Sequence, residues 1–244
     1  MDTPAPEHDE IGESTLASIA AAGAFNRWMY DSIKKYCQEP VLEIGSGIGN
    51  ISRFFIEDGA RIMLSDLRPQ YCDLLSEKFS KHGNLIGIQP IDLVASSFDN
   101  NYREHLGKFR SVFALNVLEH IENESLAVQN LKKLLKPGGT LVILVPSYQW
   151  LFSRFDEELG HYRRYTKTRL TAVFEKNGFT VNRSWYFNSV GIAGWWLFGK
   201  VLKRKQVQEG QMKLYNVLVP IIKLADIVIG RTFGLSVIAV GTAK

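Results

Sequence analysis

The sequence of 244 residues is short of cysteine and carries no secretory leader pattern. Its two cysteines, Cys37 and Cys72, are too few for a disulfide framework, and no group of cysteine and histidine shows the spacing of a zinc site. Residues 1–13 contain neither an apolar run nor a basic segment ahead of one. These absences favour a reducing, cytoplasmic compartment. We expect residues 1–13 to form a disordered tail and residues 14–244 to form a single domain.

An excess of positive charge is lacking outside one short segment. The net charge is +4, and residues 199–213 hold five basic residues against one acid, which accounts for the whole excess. Those basic residues are Lys200, Lys203, Arg204, Lys205 and Lys213. A nucleic-acid-binding domain would instead present basic residues across one of its faces. We therefore expect no nucleic-acid partner.

What the sequence does contain is a regular alternation of apolar runs and helical patterns. Strands are predicted at 40–45, 61–65, 85–91, 109–117, 140–145, 179–187 and 235–241, with helices at 14–36, 48–58, 69–81, 124–135 and 166–177. The sequence Lys-Pro-Gly-Gly at 136–139 predicts a helix stop and a turn before the fifth strand. The alternation predicts an α/β fold, with a doubly wound, Rossmann-like, mostly parallel sheet of seven strands and helices on both faces.

The segment that joins the first strand to the next helix is rich in glycine. Glycines at such a turn allow the backbone to turn tightly and to approach a ligand. The dinucleotide-binding fingerprint needs glycine at its first, third and sixth positions, and counting from Gly45 the sixth position is Asn50. Glu43 at the strand end would repel a pyrophosphate but suits a ligand that carries an ammonium group. A nicotinamide-dependent oxidoreductase is therefore the less favoured alternative.

Acidic residues also follow the second and third predicted strands. Asp66 lies 23 residues beyond Glu43, at a position where a carboxylate can accept both hydroxyls of a ribose. A simpler alternative is that Asp66 caps the helix that starts near Pro69. Asp92 follows the third strand and can accept the amino group of an adenine. Three acids at successive strand ends predict one ligand crevice at the carboxyl edge of the sheet.

Residues 40–187 resemble the class I S-adenosylmethionine-dependent methyltransferases, in the broad group that includes the ubiquinone-biosynthesis enzymes. The matching segments are LEIGSGIGN at 42–50, SD at 65–66, ID at 91–92, NVLEH at 116–120 and LKPGGTLVILVP at 135–146. The resemblance implies S-adenosyl-L-methionine as the cofactor. It places the methionine part among Gly45, Gly47 and Gly49, the ribose at Asp66 next to Leu67, the adenine at Asp92 and Leu93, and the backbone of Asn116 beside the methionine or ribose.

Catalytic groups are expected after the fourth and fifth strands. Glu119 and His120 are candidates there, with a helix-terminal acid and a surface histidine as the simpler interpretation. Related O-methyltransferases can hold magnesium on two glutamates and a histidine at this point, but Asn116 replaces the first glutamate, so no metal is predicted. His161 is the candidate base for a hydroxyl acceptor.

Further polar and aromatic side chains near His161 are candidates for binding the acceptor. An ordinary solvated loop is the alternative. The candidates are Tyr148, Tyr162, Arg163 and Arg164.

A long insertion at 188–233 separates the last two predicted strands. It contains Trp195 and Trp196, two further acceptor-site candidates, followed by the basic segment, and neither of its apolar stretches reaches the roughly 20 residues of a membrane span. A lid over the site, a membrane-surface contact through 188–230 and a dimer contact all fit this pattern. We expect a methyltransferase for a small or lipid-like acceptor, with a non-catalytic membrane-surface module as the alternative and the oligomeric state open.

Overall fold

The computed structural model describes residues 16–197, 209–229 and 231–244. Its seven strands are β1 Val41–Ile44, β2 Ile62–Asp66, β3 Leu85–Pro90, β4 Phe109–Leu115, β5 Leu135–Pro146, β6 Phe179–Phe187 and β7 Ser236–Ala243. They form one sheet in the order β3-β2-β1-β4-β5-β7-β6, in which β7 is antiparallel to both of its neighbours. The predicted mostly parallel, seven-stranded sheet is confirmed.

The helices connect these strands and pack against both faces of the sheet. They are α1 Gly23–Ile33, α2 Ser52–Glu57, α3 Pro69–Phe79, α4 Phe98–Asn101, α5 Glu124–Leu134, α6 Arg154–Glu158, α7 Lys167–Lys176, α8 Gly191–Trp195 and α9 Glu209–Val228. Side-chain caps from Asn123 and Thr166 begin α5 and α7, and proline occupies the first turn of α3. No helix among the described residues is long and apolar enough to cross a membrane.

The helix predicted over 14–36 is interrupted. Residues 16–20 are helical, and a new helix, α1, starts at Gly23 after Ala22 leaves the helical conformation. The Asn216 side chain of α9 accepts hydrogen bonds from the backbone N–H groups of Ala24 and Phe25, at 2.7 and 3.3 Å. The break therefore reflects a cap supplied by a residue far along the chain.

The predicted turn at 136–139 lies inside β5 rather than before it. Phe109 of β4 pairs with Leu135, and Ser111 then pairs with Thr140, so the register shifts across the intervening residues of β5. Gly138 has a φ of 71°, and a Cβ on Gly139 would lie 2.8 Å from the carbonyl oxygen of Lys136. Pro-Gly-Gly therefore forms a bulge within β5, and the prediction that this strand begins at 140 was wrong.

The strands bury side chains on both faces, which fixes the sheet between two helical layers. Residues such as Leu42 and Val112 pack towards α5 and α7, whereas neighbours such as Val41 and Phe113 pack towards α1 and α2. The strand order reverses between β1 and β4. In sheets of this kind the ligand crevice opens at the carboxyl ends of the strands at that reversal.

Candidate active site

A cavity of about 1330 Å³ lies at the carboxyl edge of the sheet. Its walls come from the ends of β1, β2 and β4, from the loop after β3, and from helices α8 and α9 of the insertion. Leu16 and Ile19 add to the wall from the N-terminal side. Small-molecule sites are usually about 300–1,000 Å³, so this cavity is larger than one such ligand needs.

The structure gathers almost all of the predicted cofactor residues around this cavity. Glu43, Gly45, Gly47, Asp66, Leu67, Asp92, Leu93 and Asn116 all lie in its wall. Gly49 is absent from that wall. A Cβ on Gly49 would lie 2.5 Å from the ring of Phe79, so in the structure this glycine permits close packing between the turn and α3.

The glycine-rich turn leaves no room for a side chain next to the cavity. Gly45 has a φ of 72°, a conformation that favours glycine, and a Cβ there would lie 2.4 Å from Cγ2 of Val117. Gly47 also has a positive φ, and its N–H donates to Asp66 at 2.9 Å. The turn therefore presents backbone, held in place by Asp66, to whatever occupies the cavity.

The two acids at the ends of β1 and β2 are both buried. Glu43 accepts a hydrogen bond from the Ser52 hydroxyl at 2.5 Å, and burial raises its pKa to about 7. Asp66 accepts the N–H of Arg68 at 3.1 Å in addition to that of Gly47, and burial raises its pKa as well. Arg68 is the N-cap residue of α3, so Asp66 holds both the glycine-rich turn and the start of that helix.

The residues that follow β3 and β4 lie on the other side of the cavity. Asp92 accepts the N–H of Val94 at 2.9 Å, and Leu93 is buried beside it. Asn116 has a φ of 54° and donates its N–H to the Leu144 carbonyl at 2.8 Å, so its backbone is fixed in a turn that faces the cavity.

On the acceptor side, a buried carboxylate orients His161. Asp156 is fully buried, and its Oδ1 lies 2.9 Å from Nδ1 of His161 and 2.8 Å from Nε of Arg164. Burial raises the pKa of Asp156, but the hydrogen bond from His161 and the charge of Arg164 outweigh it and hold the pKa below its ordinary value. Because an ionised carboxylate can only accept, Nδ1 of His161 carries the hydrogen, and Nε2 is the nitrogen able to accept a proton.

Glu119 lies in the cavity wall, and its surroundings differ from those of Asp156. It is fully buried, and neither oxygen of its side chain has a hydrogen-bond partner among the described residues. Burial raises its pKa to about 8, and the opposing charges of Arg164 and Asp156 have smaller effects. The carboxyl group is therefore held largely protonated at neutral pH.

Glu119, His120 and His161 are the one group among the described residues whose ligand atoms could surround a metal ion. One such atom from each lies within 4.8 Å of the others. His120 and His161 meet edge to face, with their ring centroids 4.5 Å apart. The predicted lack of a metal stays a prediction.

The six acceptor-site candidates have different surroundings. Tyr162 and Trp195 line the cavity, and the ring of Trp195 lies over Arg164 at 4.4 Å. Arg164 itself is buried and neutralised by Asp156. Arg163 points away, donating to the carbonyls of Ile121 and Glu122.

Tyr148 and Trp196 lie outside the main cavity. They line a shallow depression together with Trp150 and Phe233.

The sequence interpretation missed Asp156, which stands in a run of three acids. A usable signal was present in the spacing Ser153-x-x-Asp156, which is typical of a capping box at the start of a helix. In the structure Asp156 accepts the N–H of Ser153 at 2.8 Å at the start of α6. That cap fixes the carboxylate whose other oxygen holds His161.

Comparison with known proteins agrees with this geometry. A family profile described as a methyltransferase domain matches residues 20–184. The chain belongs to the class I S-adenosylmethionine-dependent methyltransferases. The predicted family, fold class and cofactor are thereby confirmed, and the nicotinamide-dependent alternative is not supported.

This chain covers less than half of the length of the curated relatives that it matches. A ubiquinone biosynthesis O-methyltransferase of Xanthomonas oryzae pv. oryzae is 30% identical over 103 residues, which cover 42% of this chain and 41% of that protein. A highly reducing polyketide synthase of Pyrenophora dematioidea is 27% identical over 155 residues, 59% of this chain and 6% of the synthase.

Solved structures extend the similarity of fold to nearly the whole chain. A phosphoethanolamine N-methyltransferase 2 of Haemonchus contortus, in complex with S-adenosyl-L-methionine, superposes with a TM-score of 0.64 at 16% identity and covers 96% of this chain and 58% of that one. A CurJ carbon methyltransferase gives a TM-score of 0.54 at 15% identity, covering 91% of this chain and 54% of that one.

The residues present fit the cofactor. The turn has no side chain at Gly45 and Gly47, so a ligand can approach its backbone closely. Asp66 places a buried carboxyl group next to this turn. The cavity wall there also contains the acids Glu43, Asp66 and Asp92. S-adenosyl-L-methionine, when bound, supplies a methyl group on a positively charged sulfur.

Proposed function

We propose that this protein methylates a hydroxyl group of a lipid-like acceptor and that His161 removes the hydroxyl proton. The observation that carries the proposal is the size and lining of the cavity. Beyond the cofactor residues, the wall is formed by apolar side chains from three elements, among them Phe25 and Met29 of α1, Trp195 of α8, and Met212, Leu218 and Ile222 of α9. An apolar acceptor would bury its surface there at a gain of about 25 cal/mol for each Å².

The arrangement around His161 supports removal of a proton. A hydroxyl is a weak nucleophile until its proton is taken by a positioned base. The Asp156–His161 pair leaves Nε2 as the proton acceptor and stabilises the imidazolium that results. Arg164 and the cap at Ser153 hold Asp156 in place, so the ring is oriented before the acceptor arrives.

The charges near His161 favour a neutral acceptor group over an ammonium. Arg164 neutralises Asp156 at 2.8 Å. Glu119 is held largely protonated because burial raises its pKa to about 8. Neither of these two buried acids therefore offers an unpaired negative charge to a cation beside His161, whereas a hydroxyl needs no such partner.

The proposal is tested by incubating the protein with methyl-labelled S-adenosyl-L-methionine and a lipid extract. We expect the label to appear in the organic phase, in a product that mass spectrometry identifies as a methyl ether. His161→Ala should slow formation of this product by about 10² to 10⁴. His82→Ala serves as the matched control because His82 is exposed and absent from the cavity wall.

Two outcomes would refute the proposal. Label confined to water-soluble products would exclude a lipid-like acceptor. A labelled lipid methylated on nitrogen or carbon would exclude the hydroxyl.

A further inference from the structure

The outer face of α9 is exposed and apolar. Val217, Ile221, Leu224 and Val228 are 73%, 67%, 62% and 79% exposed. Their spacing places them in one stripe along the helix. A surface helix in a globular protein normally shows the opposite arrangement, with polar residues towards water.

The charged and amide side chains of this part of α9 each contact another element of the protein. Asn216 caps α1 by accepting two backbone N–H groups. Asp226 is buried and accepts the N–H groups of Asn188 and Ser189, each at 2.7 Å. Lys223 lies 3.6 Å from Asp31 of α1. Since residues 214–228 hold no other charged or amide side chain, the stripe contains no charge of its own.

We propose that this stripe, Val217, Ile221, Leu224 and Val228, docks on the surface of a lipid bilayer that contains anionic lipid. The stripe covers 12 residues, so it is about 18 Å long and roughly 10 Å wide. That footprint of roughly 180 Å² is far below the about 800 Å² that each partner buries in a stable protein interface. It is sufficient for an apolar helix face that inserts at the level of the lipid headgroups.

The sequence that precedes α9 supplies the complementary charge. Residues 198–208 lie outside the described residues, and their sequence contains Lys200, Lys203, Arg204 and Lys205 and no acid. Basic residues are attracted to the surface of a bilayer that contains anionic lipid. Trp196 and Leu197, the last described residues before this segment, are exposed. A tryptophan at such a position is typical of the membrane interface.

The docking surface is tested by cosedimentation of the full chain with vesicles, without any methyl acceptor. We expect binding to vesicles of phosphatidylcholine mixed with phosphatidylglycerol, weakened by salt. The triple substitution Val217→Gln, Ile221→Gln and Leu224→Gln should weaken it at least about tenfold. These three residues do not line the main cavity, so affinity for S-adenosylhomocysteine should stay unchanged.

The matched control is Leu74→Gln with Ile86→Gln, which removes two exposed apolar side chains on α3 and β3. This control should bind vesicles as the unaltered protein does. The proposal is overturned if the unaltered protein does not bind these vesicles at low salt, or if the control and the triple variant lose binding equally. It is also overturned if the unaltered protein is a dimer in solution and the triple variant a monomer. None of these results depends on the acceptor, so they are separate from failure of the proposed function.

Discussion

Replacement of Glu119 by glutamine should make the protein more stable at alkaline pH and have little effect at acid pH. Burial raises the pKa of Glu119 from 4.5 to about 8, so the native state keeps a proton that the unfolded state has lost across that interval. The native state then binds more protons than the unfolded state, and the free energy of unfolding falls as the pH rises. Glutamine cannot ionise, and it removes this dependence.

The size of the effect follows from the width of that interval. Each pH unit between the two pKa values is worth about 1.4 kcal/mol for one proton. Between about pH 5 and pH 8 the free energy of unfolding of the unaltered protein should therefore fall by on the order of 4 kcal/mol relative to that of Glu119→Gln. Glu43 and Asp66 are buried acids with raised pKa values too, but they are present in both proteins, and the difference between the two isolates Glu119.

The measurement is urea unfolding of both proteins, followed by tryptophan fluorescence at several pH values in the absence of ligand. The free energies extrapolated to water should converge at acid pH and diverge as the pH rises. A constant difference across the range would refute the reasoning, because it would mean that Glu119 is ionised in the native state. The argument that Glu119 presents no negative charge beside His161 would then fail as well.

Three further predictions concern the cofactor and the base. S-adenosylhomocysteine at about 100 times its Kd should stabilise the protein by roughly 2.7 kcal/mol in a thermal unfolding experiment, and NAD should not. Asp66→Ala should weaken binding of this ligand by on the order of 1.5–3 kcal/mol in calorimetry, since a buried carboxyl partner is lost. A change in affinity below about twofold would mean that Asp66 only holds the neighbouring backbone in place. His161→Ala should lower kcat by about 10² to 10⁴ with unchanged affinity for the cofactor, and equal losses in both would indicate a structural role.

The sheet could be predicted from the sequence because each buried strand is a short apolar run bounded by turn residues. The seven predicted strands all appear in the structure, and their crevice lies at the expected reversal between β1 and β4. Prediction failed where a long-range contact overrides a local pattern. The start of α1 depends on Asn216, which lies about 190 residues further along the chain, and no local spacing indicates such a cap.

The acceptor side was harder to predict because a run of charges does not show which member is buried. Asp156, Glu157 and Glu158 are adjacent in sequence, yet only Asp156 enters the core, where it meets His161 and Arg164. The sequence likewise did not show which of the adjacent residues Arg163 and Arg164 is buried. In the structure one donates to backbone carbonyls and the other balances Asp156, because successive residues of a loop point in different directions.

The lid and membrane interpretations of the insertion are compatible, because a helix has two sides. The inner side of α9 contributes Met212, Leu218 and Ile222 to the cavity wall, and its polar residues anchor it to the domain. From Val217 to Val228 the outer side is left with the exposed apolar stripe. A helix that served only as a lid would have no reason to keep its outer side apolar, since polar residues there would cost nothing and would protect the protein from aggregation. An apolar outer side is expected if the same helix separates an apolar cavity from a bilayer, and a lipid-like acceptor then has only the thickness of one helix to pass.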